Sequence, residues 1–198
     1  MRKAFFLTLL FALFVQLLAT PLQTASASAP GQKPVVAIFP VNDNSSQKSG
    51  RMAAQLVDDK LLAKFGDGRY TVLYGQALYE SLRREGIDDP RSADNGAVQA
   101  ALRRMRVDYS IRPELLYVSL HQSMVLPTAL LLMKVWTANV PLFVNVMDVN
   151  KGYAVYDSTI VETGRHEAVM GFANQATAVR NAVDKILDRL DREVALPE

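Results

Sequence analysis

Cysteine is absent from all 198 residues. That absence excludes a disulfide framework, thiol catalysis, thiolate metal sites and the lipid-bearing cysteine of a bacterial lipoprotein. Histidine is nearly absent. His121 and His166 are the only two, too few for an all-protein zinc site without carboxylate help. The residue four after His166 is Met170, so no H-E-x-x-H helix is written. Both histidines read as surface or interface residues. There is no Gly-rich phosphate loop, no Lys-Ser/Thr pair behind one and no G-x-S-x-G. The sequence therefore calls for no metal and no cofactor. Charge of one sign is lacking too: 22 basic side chains face 20 acidic ones. Without a dominant sign, no long-range field draws nucleic acid or an anionic membrane.

What is present begins with a leader. Arg2 and Lys3 form a short positive segment, and Ala4–Leu18 follow uncharged, interrupted by Gln16. Pro21 breaks the helix, and Ala25-Ser26-Ala27 offers the small residues a signal peptidase needs at −3 and −1. The expected cut follows Ala27, because a cut after Ala29 would put Pro30 in the +1 position. The apolar run is shorter than the ~20 residues of a membrane span, which argues against an uncleaved anchor. The chain is thus expected to be extracytoplasmic, in a periplasm or cell envelope or secreted. Removal of 27 residues from 198 leaves 171, and of Arg2 and Lys3 leaves 20 basic against 20 acidic groups. That length suits one domain. The division expected is signal peptide 1–27, flexible tether 28–34 and a single α/β domain 35–198.

Along the domain, Val35–Val41 is a short apolar run suited to a strand buried on both faces, with Pro40 near its end. From Ser49, Ala53, Val57, Leu61 and Phe65 repeat every four residues with Leu56 beside them, which spells a helix; Gly66 is its expected left-handed stop. Tyr70–Tyr74 reads as a strand. Gln76–Glu85 reads as a helix with Leu78 and Leu82 inward, closed by Gly86. Ile87–Asn95 is a polar loop. Asp94 or Asn95 caps a third helix running through Arg106, with Val98, Leu102 and Met105 on one side. Val107–Val118 is a third strand, where Pro113 argues for an edge or a bulge.

Val140–Val149 alternates: Leu142, Val144, Val146 and Asp148 face one way, Phe143, Asn145, Met147 and Val149 the other. Asn150-Lys151-Gly152 makes a hairpin turn with Gly152 at positive φ, and Tyr153–Thr163 returns. Ala168–Val194 is an amphipathic helix carrying Val169, Phe172, Ala176, Val179, Val183, Ile186, Leu187 and Leu190, with an Asp188–Arg192 pair. The order β-α-β-α-α-β-β-β-α calls for an α/β (mixed α+β) fold. Crossover-linked strands are parallel, turn-linked strands antiparallel, and all join one mixed sheet with helices packed on it.

Four segments carry a resemblance. They are Val35-Val36-Ala37-Ile38-Phe39-Pro40; Tyr70-Thr71-Val72-Leu73 running into Ala77-Leu78 and Ser81-Leu82 and ending at Gly86; Val107-Asp108-Tyr109-Ser110-Ile111; and the hairpin Val146–Tyr156. Together they resemble the N-terminal α/β domain of TolB and the related domain of CsgG, an envelope superfamily. The resemblance implies envelope assembly or scaffolding through protein contact and supplies no catalytic residues. The chain departs from it in lacking the TolB propeller and the CsgG lipid-bearing cysteine, and in carrying Pro113 where a Gly is usual.

Two places are candidates for function. After the first strand, Asn42, Asp43, Asn44, Ser45 and Ser46 form a polar loop at a position where open α/β sheets bind ligands; a solvated helix-capping loop explains the same residues. The second is Met124–Trp136, with Met124, Val125, Leu126, Leu130, Leu131, Leu132, Met133, Val135 and Trp136. It reads as core (a buried helix or strand extension), as an exposed apolar surface for a partner chain or lipid, or as a barrel-forming hairpin, which its broken alternation disfavours. The paired acids Asp58-Asp59 and Asp88-Asp89 read as solvated surface, and Arg103, Arg104 and Arg106 as complements to a helix dipole. The leading expectation is a non-catalytic extracytoplasmic module acting by protein–protein contact, with a protein partner or a second copy and no nucleic acid. An exported hydrolase using the Asp43–Ser46 loop and a protein held peripherally on a membrane are the competing readings.

Overall fold

The computed structural model describes residues 32–45, 47–128, 131–169, 172–194 and 196, with residues 126–128, 131 and 132 described by their backbone. The expected leader, its cut site and most of the tether lie outside the described residues. The elements are β1 (Val35–Ile38), β2 (Asn42–Asp43), α1 (Lys48–Phe65), β3 (Thr71–Tyr74), α2 (Gly75–Arg84), α3 (Asn95–Arg104), β4 (Tyr109–Leu115), β5 (Ser119–Thr128), β6 (Leu131–Asp148), β7 (Tyr153–Val169) and α4 (Gln175–Glu193).

All seven strands belong to one mixed sheet. β1 lies between β3 and β4 and is parallel to both. These are the crossover-linked strands, and parallel pairing is what a helical crossover imposes. β4 then pairs antiparallel with β6, and β6 with β7 across the Asn150–Gly152 turn. Gly152 has φ +77° as expected of that turn. β5 runs along the same edge of β6 as β4, against its first half.

Each face of the sheet has its own core. On one face Val36, Ile38, Ile111, Leu142, Val144 and Val146 pack against Val57, Leu61 and Phe65 of α1 and Val179, Val183 and Ile186 of α4. On the other, Ala37 and Phe39 pack against Leu78 and Leu82 of α2 and Val98 and Leu102 of α3. Each of the larger side chains contributes roughly 1.5–3 kcal/mol on full burial, so a four-residue strand with helices on both faces is well anchored. Asp94 is the α3 cap, accepting from the Ala97 N–H at 3.1 Å.

Several expectations are corrected. Val35–Val41 is not one strand: β1 ends at Ile38, Phe39-Pro40-Val41 link it to β2, and β2 resumes against β4. Just before β1, the Pro34 carbonyl accepts the Thr71 N–H at 2.9 Å. Gly66 is not left-handed (φ −84°); the chain turns at Gly68, φ +93°. α3 ends at Arg104, before Arg106.

Pro113 marks neither an edge nor a bulge, for β4 pairs in continuous register with β6. The carbonyls of Ile111 and Leu115 accept from Phe39 and Asn44 on the opposite side. Pro113 therefore falls where β1 has ended and β2 not yet begun, and its missing N–H meets no ladder there. The single third strand expected over Val107–Val118 is β4, and a further strand, β5, follows it. The last helix does not begin at Ala168. Ala168 and Val169 continue β7, opposite Lys134 and Met133, and Asn174 caps α4 by accepting from the Thr177 N–H at 2.8 Å. The helical spacing of Val169 and Phe172 was coincidental, and Phe172 is 81% exposed. The i,i+4 ion pair on α4 is Arg189–Glu193 in place of Asp188–Arg192. Asp58 is not merely solvated: its Oδ1 accepts the Val41 N–H at 3.0 Å between β1 and β2, and burial raises its pKa.

Candidate functional site

The polar loop after β1 divides between two surroundings. Asp43 Oδ1 accepts from the Ser45 N–H at 2.9 Å and from the Ser45 hydroxyl at 2.5 Å. Ser45 Oγ in turn accepts from the Gln47 N–H, so these groups shape the approach to α1. Asn44 donates to Glu114 Oε1 at 2.5 Å. Ser46 lies outside the described residues. Of the four described residues of this loop, Asn42 lines the cleft described below. His121 and His166 sit on β5 and β7. Their cross-strand neighbours on β6 are Thr137 and Trp136, consecutive residues that point to opposite faces, so the two imidazoles cannot meet on one metal. His166 Nδ1 accepts the Asn174 N–H at 3.1 Å and so anchors the start of α4.

Met124–Trp136 forms the far end of a three-stranded ribbon made by β5, the first half of β6 and the last half of β7. Val125, Met133 and Val169 stand in register across it on one face; Met124, Lys134 and Ala168 occupy the adjacent row on the other. Met124 is 63% exposed, Val125 41% and Val169 50%. Met133 and Trp136 are half-buried, and Lys134 Nζ lies 5.3 Å from the Trp136 ring centre. Val135, on the same face as Met133, is 2% exposed. Leu130 lies outside the described residues, as do the side chains of Leu126, Leu131 and Leu132. β5 and β6 lose register between Val125 and Thr128, around Pro127, which cannot donate to a ladder. Along β7 the residues from Asp157 to Val169 on one face are all exposed, whereas those on the other pack against α4. No helix of the described residues covers the first of these faces, although Val135 on it is buried.

A second feature was missed by sequence reasoning. On the α2–α3 side of the sheet, beyond the carboxyl end of β1, lies a cleft of about 550 Å³. Its floor is Ser110, Arg112 and Glu114 of β4 beside Phe143, Asn145 and Met147 of β6. Its walls are Asn95, Gln99 and Leu102 of α3, with Tyr79 of α2 and Pro90-Arg91 of the preceding loop. Arg112 and Asn145 are direct cross-strand partners. The Arg112 guanidinium lies 4.6 Å from the Phe39 ring centre, and its Nη1 donates to Asn95 Oδ1 at 2.8 Å. Burial lowers its pKa, though a guanidinium keeps its proton. The signal was available: a strand covered on both faces reads as continuously apolar, and Ser110-x-Arg112-x-Glu114 puts polar groups on a face that helices cover.

No family model and no curated protein matches the sequence. Among solved structures the chain is similar to a neuraminyllactose-binding hemagglutinin homologue from Helicobacter pylori, at 11% identity and TM-score 0.51, over 83% of this chain and 87% of that one. It is also similar to the lipoprotein GNA1162 from Neisseria meningitidis (9% identity, TM-score 0.48, 80% and 99% covered) and to the C-terminal domain of LpoB from Escherichia coli (14%, 0.41, 67% and 86%). At these identities the likeness is one of fold.

Proposed function

We propose that the chain is a non-catalytic, extracytoplasmic module of the cell envelope, of the TolB/CsgG-like kind, that works in envelope assembly or maintenance by protein–protein contact through the end of its β5–β6–β7 ribbon. One observation carries this reading: Val125, Met133 and Val169 form an aligned apolar row across three strands, on a ribbon face that no helix covers among the described residues. Clustered exposed apolar side chains are costly to leave in water and mark contact surfaces, and methionine adapts to a partner's shape. The leader-like first 27 residues support the compartment, and the shared fold with a bacterial hemagglutinin homologue agrees with it.

The test is photo-crosslinking in intact cells with a probe at Val125 or Val169, and at Glu80 on α2 as control. A protein adduct of one mass from both ribbon positions and not from Glu80, lost in Met133→Lys, is expected. Monomer alone at every position refutes the contact. The same apolar row suits a lipid surface, and flotation of the chain with vesicles in place of a protein adduct decides for that reading. Mature protein recovered outside the cytoplasm and starting at Ser28 is the expected result for export; cytoplasmic material retaining Met1 refutes it.

A further inference from the structure

We infer that the cleft between α3 and the β4–β6 floor binds a small organic carboxylate, held by Arg112 and Gln99. A buried cation is costly unless a counter-charge and hydrogen-bond acceptors surround it. Arg112 has a neutral amide oxygen at Nη1 and the Phe39 ring, and no carboxylate in ion-pair contact among the described residues. Its Nε is buried without an acceptor. Gln99 follows Asn95 by one helical turn, so the two amides lie on one face of α3, and Gln99 Nε2 is likewise buried without an acceptor. Arg112 and Gln99 both line the cleft, Gln99 Nε2 standing toward Gly152 of the β6–β7 turn, and the described residues provide neither donor with an acceptor.

The class of that acceptor follows from the surroundings. A guanidinium edge matches the two oxygens of a carboxylate. Arg91 at the cleft adds a second positive charge, while Glu114, engaged by Asn44, opposes a ligand of multiple negative charge. Leu102, Phe143 and Met147 ask for a carbon body behind the acid group. The volume, about 550 Å³, falls among small-molecule sites. The site is distinct from the ribbon end, and its failure would leave the contact reading untouched.

The experiment is an NMR titration of the isotope-labelled full chain with benzoate, acetate or inorganic phosphate, at ionic strength held constant with chloride. Saturable shifts of the Arg112 Nε–H and Gln99 side-chain amide are expected with benzoate, with weaker binding of acetate and phosphate. Arg112→Gln should weaken benzoate binding by about tenfold to a hundredfold, the span for loss of charged hydrogen bonds. Gln99→Leu, which leaves the sheet intact, should weaken it by about threefold to tenfold. Lack of saturation with benzoate overturns the site, as does unchanged affinity in both variants. Phosphate binding as tight as benzoate overturns the carboxylate assignment.

Discussion

Replacing Gly164 with alanine tests how α4 is seated. Gly164 lies in β7 opposite Ala138 of β6, and its φ is not positive, so the backbone itself would accept a side chain. Alanine at an unstrained glycine ordinarily stabilises by about 0.4–1 kcal/mol through the unfolded state. Here a Cβ would stand 1.9 Å from the Ala178 carbonyl oxygen and 2.4 Å from the Ala182 nitrogen. Both are backbone atoms that no rotamer change can move, so the helix must retreat by about 1 Å. A gap of ~0.5–1 Å forfeits a quarter to a half of each dispersion contact across it. The side chains that would lose contact include Val179, Val183 and Ile186, all fully buried. Retreat would also stretch the bonds from Asn181 Nδ2 to the Arg165 carbonyl (2.9 Å) and from Lys185 Nζ to the Thr163 carbonyl (2.8 Å). Overpacking costs typically 1–3 kcal/mol, and a backbone-to-backbone conflict places this variant at or above ~3 kcal/mol. With a urea slope of about 2 kcal/mol/M, the midpoint should fall by about 1.5 M. A midpoint that is unchanged or higher would refute the close seating of α4 on β7.

Asp58→Asn keeps an acceptor for the Val41 N–H while removing a charge whose pKa burial raises. Because the folded-state value lies above the unfolded one, Asp58 contributes stability that is fully present below the unfolded value and lost as pH rises through the folded value. Thermal melts should therefore show Asp58→Asn gaining on the wild type from acid to neutral pH, whereas Asp58→Ala loses about 1–2 kcal/mol by leaving the Val41 N–H unpaired. Asp108 ties the start of β1 to the β6–β7 turn, its carboxylate accepting from the Val35 N–H at 2.8 Å and Asn150 Nδ2 at 3.1 Å. Asp108→Ala should cost about 1–3 kcal/mol in chemical denaturation, and a loss below ~0.5 kcal/mol would remove that role. Arg112→Met should leave the ligand-free chain within about 1 kcal/mol of the wild type or more stable, since a desolvated cation gives way to an apolar side chain of similar length. A differential scanning calorimetry loss of several kcal/mol would instead make Arg112 a structural residue.

The sequence alone determined what depends on near neighbours. The four-residue spacing of Ala53, Val57, Leu61 and Phe65 placed α1, and Leu78 with Leu82 placed α2, because a helix brings those positions to one face whatever lies beyond it. Alternation from Leu142 to Val149 placed the core half of β6, and Gly152 the turn after it, since pleat and backbone sign are local properties. From these elements the single mixed sheet followed.

What the tertiary structure decided are the matters of partnership. Apolar and polar residues around Met124–Trp136 fit core and surface equally well until β5, β6 and β7 were in register, which buries Val135 and exposes Met124. Ala168 and Val169 suit a helix by spacing and became strand because β6 offers ladder partners there, long-range hydrogen bonds that local propensity does not register. Gly164 is one more glycine until a helix backbone arrives against it. The cleft is likewise invisible in one dimension. Arg112 and Gln99 come from separate elements, and only packing α3 over β4 and β6 buries Arg112 Nε and Gln99 Nε2 without an acceptor among the described residues.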